Sequence, residues 1–155
     1  MAAVSGVRSR LANESGAELI EFALVLPLLL LVLLGIIDFG FLFQRYEVVT
    51  NAAREGARVA ILPGYAEADV VARVNTYLTA GGLTGPHAPP VITYPAPISV
   101  GGYCAAVTRV TVTYPYTYSF VGGVAAYFGS TALASRSELT ATSEMRNELP
   151  AVGCP

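Results

Sequence analysis

The chain has 155 residues, 54% of them hydrophobic and only 13% charged, with nine basic groups against eleven acidic ones and a net charge of −2. That length holds one membrane helix and one small domain. A slightly acidic chain whose basic residues are scattered arginines has no electrostatic footprint for nucleic acid, and none is expected as a partner.

Met1–Gly16 is short, polar and carries Arg8 and Arg10. The apolar segment Leu19–Phe43 follows, interrupted only by Glu21 and Asp38. It exceeds the ~20 residues that cross a bilayer, so a membrane-spanning helix is expected with its membrane part at about residues 19–43. The junction reads S-G-A-E-L-I-E-F at Ser15–Phe22, and from Phe22 to Ile37 there is no charge.

Three readings compete for this junction. A secretory signal peptide has an apolar core of about 7–15 residues and then a small-residue cleavage site. Here the stretch is longer and I-I-D-F-G-F-L-F follows it, which disfavours that reading. An uncleaved anchor explains the apolar run but gives Gly16, Glu21 and Phe22 no role. Cleavage between Gly16 and Ala17 removes the polar leader (residues 1–16) and keeps the helix. Ala17 then becomes the N-terminus, and Glu21 lies one helical turn away. The new α-amine can meet Glu21 of its own chain or of a neighbour. A carboxylate at the bilayer centre costs about 2.5–3.5 kcal/mol on insertion scales, so an acid near the apolar stretch calls for a partner. Arg45, Arg54 and Arg58 follow the span while Arg8 and Arg10 precede it, so basic-residue asymmetry gives no orientation.

Beyond Asp38 the helical stripe continues through Leu42, Tyr46, Val49, Ala53, Gly56 and Ala60, and Pro63-Gly64 ends it. One rod is expected over residues 17–62, about 65–70 Å long at 1.5 Å per residue. Pro27 inside it removes a backbone bond near Ala23 and should kink or loosen it. Ala52, Gly56 and Ala60 recur every fourth position, a face that lets another backbone approach closely. It packs either against another subunit's helix or under the chain's own domain, and the second reading ranks first. Arg54, Glu55 and Arg58 read as a solvated or interfacial rim.

The remainder, residues 63–155, is expected to form a small domain. A second helix is predicted over about Ala66–Leu78, with Val70, Val74, Tyr77 and Leu78 on one face, an Asp69–Arg73 pair one turn apart and Gly81-Gly82 closing it. Gly81–Pro90 reads as a loop. Val107–Phe120 alternates strictly, Val110, Val112, Tyr114, Tyr116, Tyr118 and Phe120 against Arg109, Thr111, Thr113, Pro115, Thr117 and Ser119, and predicts a strand with one wet face. Pro115 implies an edge position or a break. Ser135–Arg146 alternates more weakly, and short strands are expected at Val91–Tyr94 and Ile98–Val100. Val121–Ala134 reads as a partner-binding flap, a membrane-surface contact or a loop over the core, with the loop ranked first. The fold class is therefore α+β: a long membrane-spanning N-terminal helix continuing into a small domain with a second helix and a small antiparallel sheet.

Cys104 and Cys154 lie in the polar part. An even count fits one disulfide in an oxidising compartment, worth roughly 4 kcal/mol for a long loop; two free thiols are the alternative. A disulfide would put this domain outside the cytoplasm.

The Gly16–Phe22 junction, the run A-L-V-L-P-L-L-L-L-V-L-L-G-I-I-D-F-G at Ala23–Gly40 and N-A-A-R-E-G-A-R at Asn51–Arg58 resemble the TadE-like family. Its members are minor pseudopilins of the tight-adherence (Flp-type) branch of type IV pili. The likeness is close over Gly16–Ala60 and looser beyond, and Leu139–Glu148 is similar to the family's C-terminal ending. The resemblance implies cleavage after Gly16 by a prepilin peptidase, assembly with a TadF-like pseudopilin and other pilus subunits, and a role in building or priming the pilus. The cysteines and the cleavage-like junction decide the orientation: the chain is expected in a bacterial inner membrane with the C-terminal domain outside the cytoplasm, and Glu21, with Phe22 beside it, is expected to set assembly register through the new amine.

His87 is the single histidine, in a proline-flanked loop, and reads as exposed. No HExxH, Ser–His–Asp set, Cys/His cluster, P-loop or dinucleotide fingerprint occurs, so no catalytic residue, metal or cofactor is assigned. The competing reading, of a different class, is an uncleaved single-pass anchor carrying an extracytoplasmic binding or scaffold domain.

Overall fold

The computed structural model describes residues 14–100, 103–127, 129 and 137–150. The first thirteen residues and Cys154 lie outside them, as does most of Phe128–Ala134. The elements run α1 (Glu14–Ala60), α2 (Glu67–Ala80), β1 (Val91–Thr93), β2 (Ile98–Val100), β3 (Tyr103–Tyr116), α3 (Val121–Tyr127) and β4 (Ser137–Pro150), an α+β arrangement.

Helix α1 is one continuous element of 47 residues with Pro27 inside it. Its two halves have opposite surroundings. From Leu19 to Ile37 nearly every large apolar side chain is exposed, whereas Val49, Ala52, Ala53 and Ala57 are fully buried. A single helix thus serves as a bare apolar rod at one end and as the spine of a domain at the other.

Helix α2 and the sheet close over the second half. Val70, Val74 and Leu78 of α2 and Val110, Val112, Tyr114, Tyr116, Leu139 and Ala141 of the sheet join α1 in one core. Gly56 marks the crossing point. A Cβ there would stand 2.6 Å from Val74 Cγ2 and 3.3 Å from Val110 Cγ1, so the absent side chain is what lets α2 and β3 approach α1 together. The small-residue face of Ala52, Gly56 and Ala60 accordingly lies under the chain's own α2 and sheet.

Strand β3 is the centre of the sheet. Along one edge it pairs antiparallel with β4, from Ala105↔Pro150 to Tyr116↔Ser137, with a register shift between Ala105 and Val107. Along the other it pairs first with β2 and then with β1. The wet face carries Arg109 bonded to Glu144 and hydroxyl pairs Thr111–Thr142 and Thr113–Thr140 at 3.1 and 3.2 Å. Because Val110 lies at Gly56 and Tyr116 at Asp38, β3 runs back along α1 toward its apolar end.

Four expectations need correction. The main strand starts earlier and stops earlier than Val107–Phe120, at Tyr103 and Tyr116. Pro115 stays inside it, where β4 is the strand neighbour on one edge only; a missing N–H on the free edge costs no ladder bond. The last strand extends to Pro150, past the expected Arg146. Val121–Tyr127 is helical rather than loop. Asp69 and Arg73 do not pair. The Asp69 carboxylate accepts the Ala66 N–H at 2.8 Å and caps α2, while Arg73 reaches across to Glu55 of α1.

Glu55 accepts from both Arg58 and Arg73, at 2.7 and 2.6 Å. The Arg58 guanidinium beside it, with Arg73 adding to the effect against partial burial, holds its carboxyl down at about 2. A carboxylate depressed in the folded state stabilises above its unfolded pKa and loses that contribution as pH falls through the folded value. Glu55→Gln should therefore cost about 1 kcal/mol at neutral pH, progressively less as pH falls below the ordinary carboxylate range and nothing only below about 2, and the acid limb of the unfolding curve should flatten. Gly56→Ala sets about 1 kcal/mol of helix propensity against about 1–3 kcal/mol of overpacking. Since Val74 is β-branched and stiff, overpacking should win and thermal unfolding in micelles should shift down. Gly40→Ala, with nothing within 4 Å, should shift it up.

Candidate functional site

Two places on α1 carry groups that ordinary folding does not demand: the exposed turn at Gly16–Phe22, and Asp38 at the far end of the bare apolar stretch. At the first, Gly16 has open space around its Cα, and Ala17, Glu21 and Phe22 are exposed on the helix. Glu21 has no side-chain partner among the described residues. The Gly16–Ala17 bond lies in the first described turn of α1.

At the second, Asp38 is 0% exposed. Its Oδ1 accepts the Ser119 N–H at 3.1 Å, and its Oδ2 accepts those of Phe120 and Val121 at 2.8 and 2.6 Å. These are backbone donors at the start of α3, where Phe120 precedes the first turn and has no side-chain oxygen to cap it. The cap comes instead from a residue more than eighty positions earlier. The Tyr116 hydroxyl donates to the Asp38 main-chain carbonyl at 3.1 Å, so the end of β3 and the start of α3 are both fixed to one turn of α1. Burial pushes the Tyr116 phenol above its usual pKa, with the Asp38 charge adding to this and Arg45 opposing it. The Arg45 guanidinium lies over the Tyr116 ring, 5.4 Å from its centre. Tyr118 packs edge-on against both Tyr116 and Phe39. The result is an aromatic cluster against one side of α1 where its exposed apolar half ends.

The other residues singled out from the sequence lie elsewhere. Cys104 is buried in β3 close to the strand's start, and Cys154 is outside the described residues. His87 is half-buried rather than exposed. Its Nδ1 faces the Gly85 carbonyl and its Nε2 the Asn75 side-chain oxygen, each at 3.1 Å, and its ring lies 5.6 Å from that of Tyr114. It ties the loop after α2 back onto α2. Among the described residues no group of three His, Cys, Asp or Glu could hold a metal ion. Asp38 was legible only as an interruption of the apolar run; the uncharged stretch Val110–Ser135 was the one further sequence sign that part of the domain sits near that interruption.

Removing the Asp38 carboxylate would leave three backbone donors unpaired, at about 1–3 kcal/mol each. A seven-residue helix containing Gly122 and Gly123 cannot offset that. Asp38→Ala should therefore release α3 while the core stays folded. Hydrogen exchange at Phe120–Val124 should accelerate by about a hundredfold or more, the factor that about 3 kcal/mol corresponds to. Val110 and Val112 should keep their protection, and Asp38→Asn, with one acceptor oxygen left, should fall between.

Against known proteins, no curated sequence and no solved structure matches the chain. A family model does match, described as TadE-like protein, over residues 16–58. The matched stretch begins at the residue before the candidate cleavage bond and ends within the buried half of α1. Along the helix that carries Gly16, Glu21 and Asp38, then, the chain is similar to TadE-like protein.

Proposed function

We propose that this chain is a membrane-anchored minor pseudopilin of a tight-adherence pilus. It is cut between Gly16 and Ala17 by a prepilin peptidase and assembles with a TadF-like pseudopilin and other pilus subunits. The observation that carries the reading is the coincidence, on one helix, of the TadE-like match with a bare apolar surface long enough to cross a membrane. From Ala17 to Ile37 that surface measures about 31 Å at 1.5 Å per residue, close to the hydrocarbon thickness of ~30 Å.

In this reading α1 spans the bacterial inner membrane and the domain faces outward, where Cys104 and Cys154 form a disulfide. Glu21, exposed and without a side-chain partner among the described residues, pairs after cleavage with the new amine of Ala17 in its own or an adjoining subunit. The ion pair has strength because the surrounding lipid and apolar helices hold little water. It sets the axial offset between neighbours, with Phe22 packing beside it. The protein does no chemistry itself; its function is assembly.

Mass spectrometry of protein purified from its native membranes should find a chain starting at Ala17. A chain that keeps its leader would leave an uncleaved anchor with a binding or scaffold domain. Glu21→Ala should be made, membrane-inserted and cleaved yet fail to support piliation, and normal pili in that variant would overturn the registry role. Cys104 and Cys154 should resist alkylation in the unfolded, unreduced chain and each take one alkyl group after reduction.

A further inference from the structure

The far end of the domain sits at a definite depth on α1. Val121 packs beside Gly35, where an added Cβ would lie 3.9 Å from Val121 Cγ2, and the turn before α3 is bonded to Asp38. Counting the ~20 residues of a bilayer crossing from Ala17 or from Glu21 ends the hydrocarbon between about residues 37 and 41. The start of α3 is therefore level with the boundary between hydrocarbon and headgroups, beside the helix that crosses it.

The composition of this part of the domain fits that depth. No charged residue occurs from Val110 to Ser135. Phe120 is 41% exposed, and Gly123 and Ala126 are exposed on α3. Phe39, Phe41 and Phe43 stand exposed on the adjoining turns of α1. Exposed apolar rings at this level suit the hydrocarbon side of the boundary, and Tyr118, edge-on to Phe39, adds a ring with a polar tip, the kind that concentrates at membrane–water boundaries. Asp38 points the same way. A carboxylate at this depth needs full hydrogen bonding, and three backbone donors supply it.

We infer that Phe120 and α3 form a foot embedded in the headgroup layer of the membrane that α1 crosses, so that the bilayer surface is the partner of this face. This rests on the reading of α1 as a membrane span. The foot extends that apolar surface sideways, gives the domain a second point of attachment and fixes its height above the bilayer.

The chain contains no tryptophan, so a single one is a clean reporter. The full chain would be reconstituted in vesicles of phosphatidylethanolamine and phosphatidylglycerol, with Phe120→Trp as the foot reporter. Leu29→Trp serves for the span and Tyr94→Trp for the outer part of the domain. Lipids brominated near the top of the acyl chain should quench Phe120→Trp, and iodide should quench it on the order of threefold less than Tyr94→Trp, as burial at the headgroup boundary requires. Ala126→Trp, exposed on the same helix, should behave likewise and guards against local damage from the first substitution. Iodide quenching of both foot reporters equal to that of Tyr94→Trp, with Leu29→Trp still quenched by lipid, would overturn the foot and leave the span standing. Iodide access to Leu29→Trp would overturn the span reading itself, and the foot with it.

Discussion

The arrangement depends on how one carboxylate is satisfied. Asp38 interrupts a helix face that is otherwise suited to lipid, and it is wholly buried. A charge taken out of water costs several kcal/mol unless hydrogen bonds replace its hydration. Here the replacement comes from the backbone at the start of α3, which cannot be lost by side-chain rotation. The exchange is mutual: α3, short and with two glycines, lacks the propensity to stand alone and receives its N-terminal cap from Asp38. Each makes the other tolerable, and together they fix where the domain begins along the rod.

The sheet follows from that attachment. With Tyr116 bonded at Asp38 and Val110 packed at Gly56, β3 is held against α1 at two points. Its inward residues are then committed to the core, and a one-residue slip would turn Val110, Val112 and Tyr114 to solvent. Strand β4 adopts its register from β3, and the threonine pairs and the Arg109–Glu144 contact fall on the wet face as a consequence. On the other side of the core, Glu55 bridges Arg58 of its own helix to Arg73 of α2, an ion pair between the two helices at the rim of the small-residue face.

What could be read from the sequence was what short-range patterning encodes. The apolar run with its continuing stripe gave the rod, alternation at Val110–Tyr116 gave the central strand, and Gly81-Gly82 gave the end of the second helix. The Gly16–Phe22 junction was visible because its residue types are unusual beside an apolar run. What escaped notice depends on partners far apart in the chain. Gly122 and Gly123 argue against a helix until a cap arrives from Asp38. Asp69 and Arg73 have the spacing of an ion pair, yet each finds a better partner, a backbone N–H for one and a carboxylate eighteen residues away for the other. His87 looked exposed because its loop is rich in proline; its contacts with Asn75 and Tyr114 are tertiary.

The absence of any break in α1 between its bare half and its buried half has a mechanical consequence. A subunit joined to its anchor by a flexible linker would swing and absorb any force applied to the anchor. Here the same helix is both shaft and spine, so a push or twist delivered to the apolar stretch beyond Pro27 reaches the sheet through unbroken helix. Such a part moves as a piston would, passing displacement on rather than damping it.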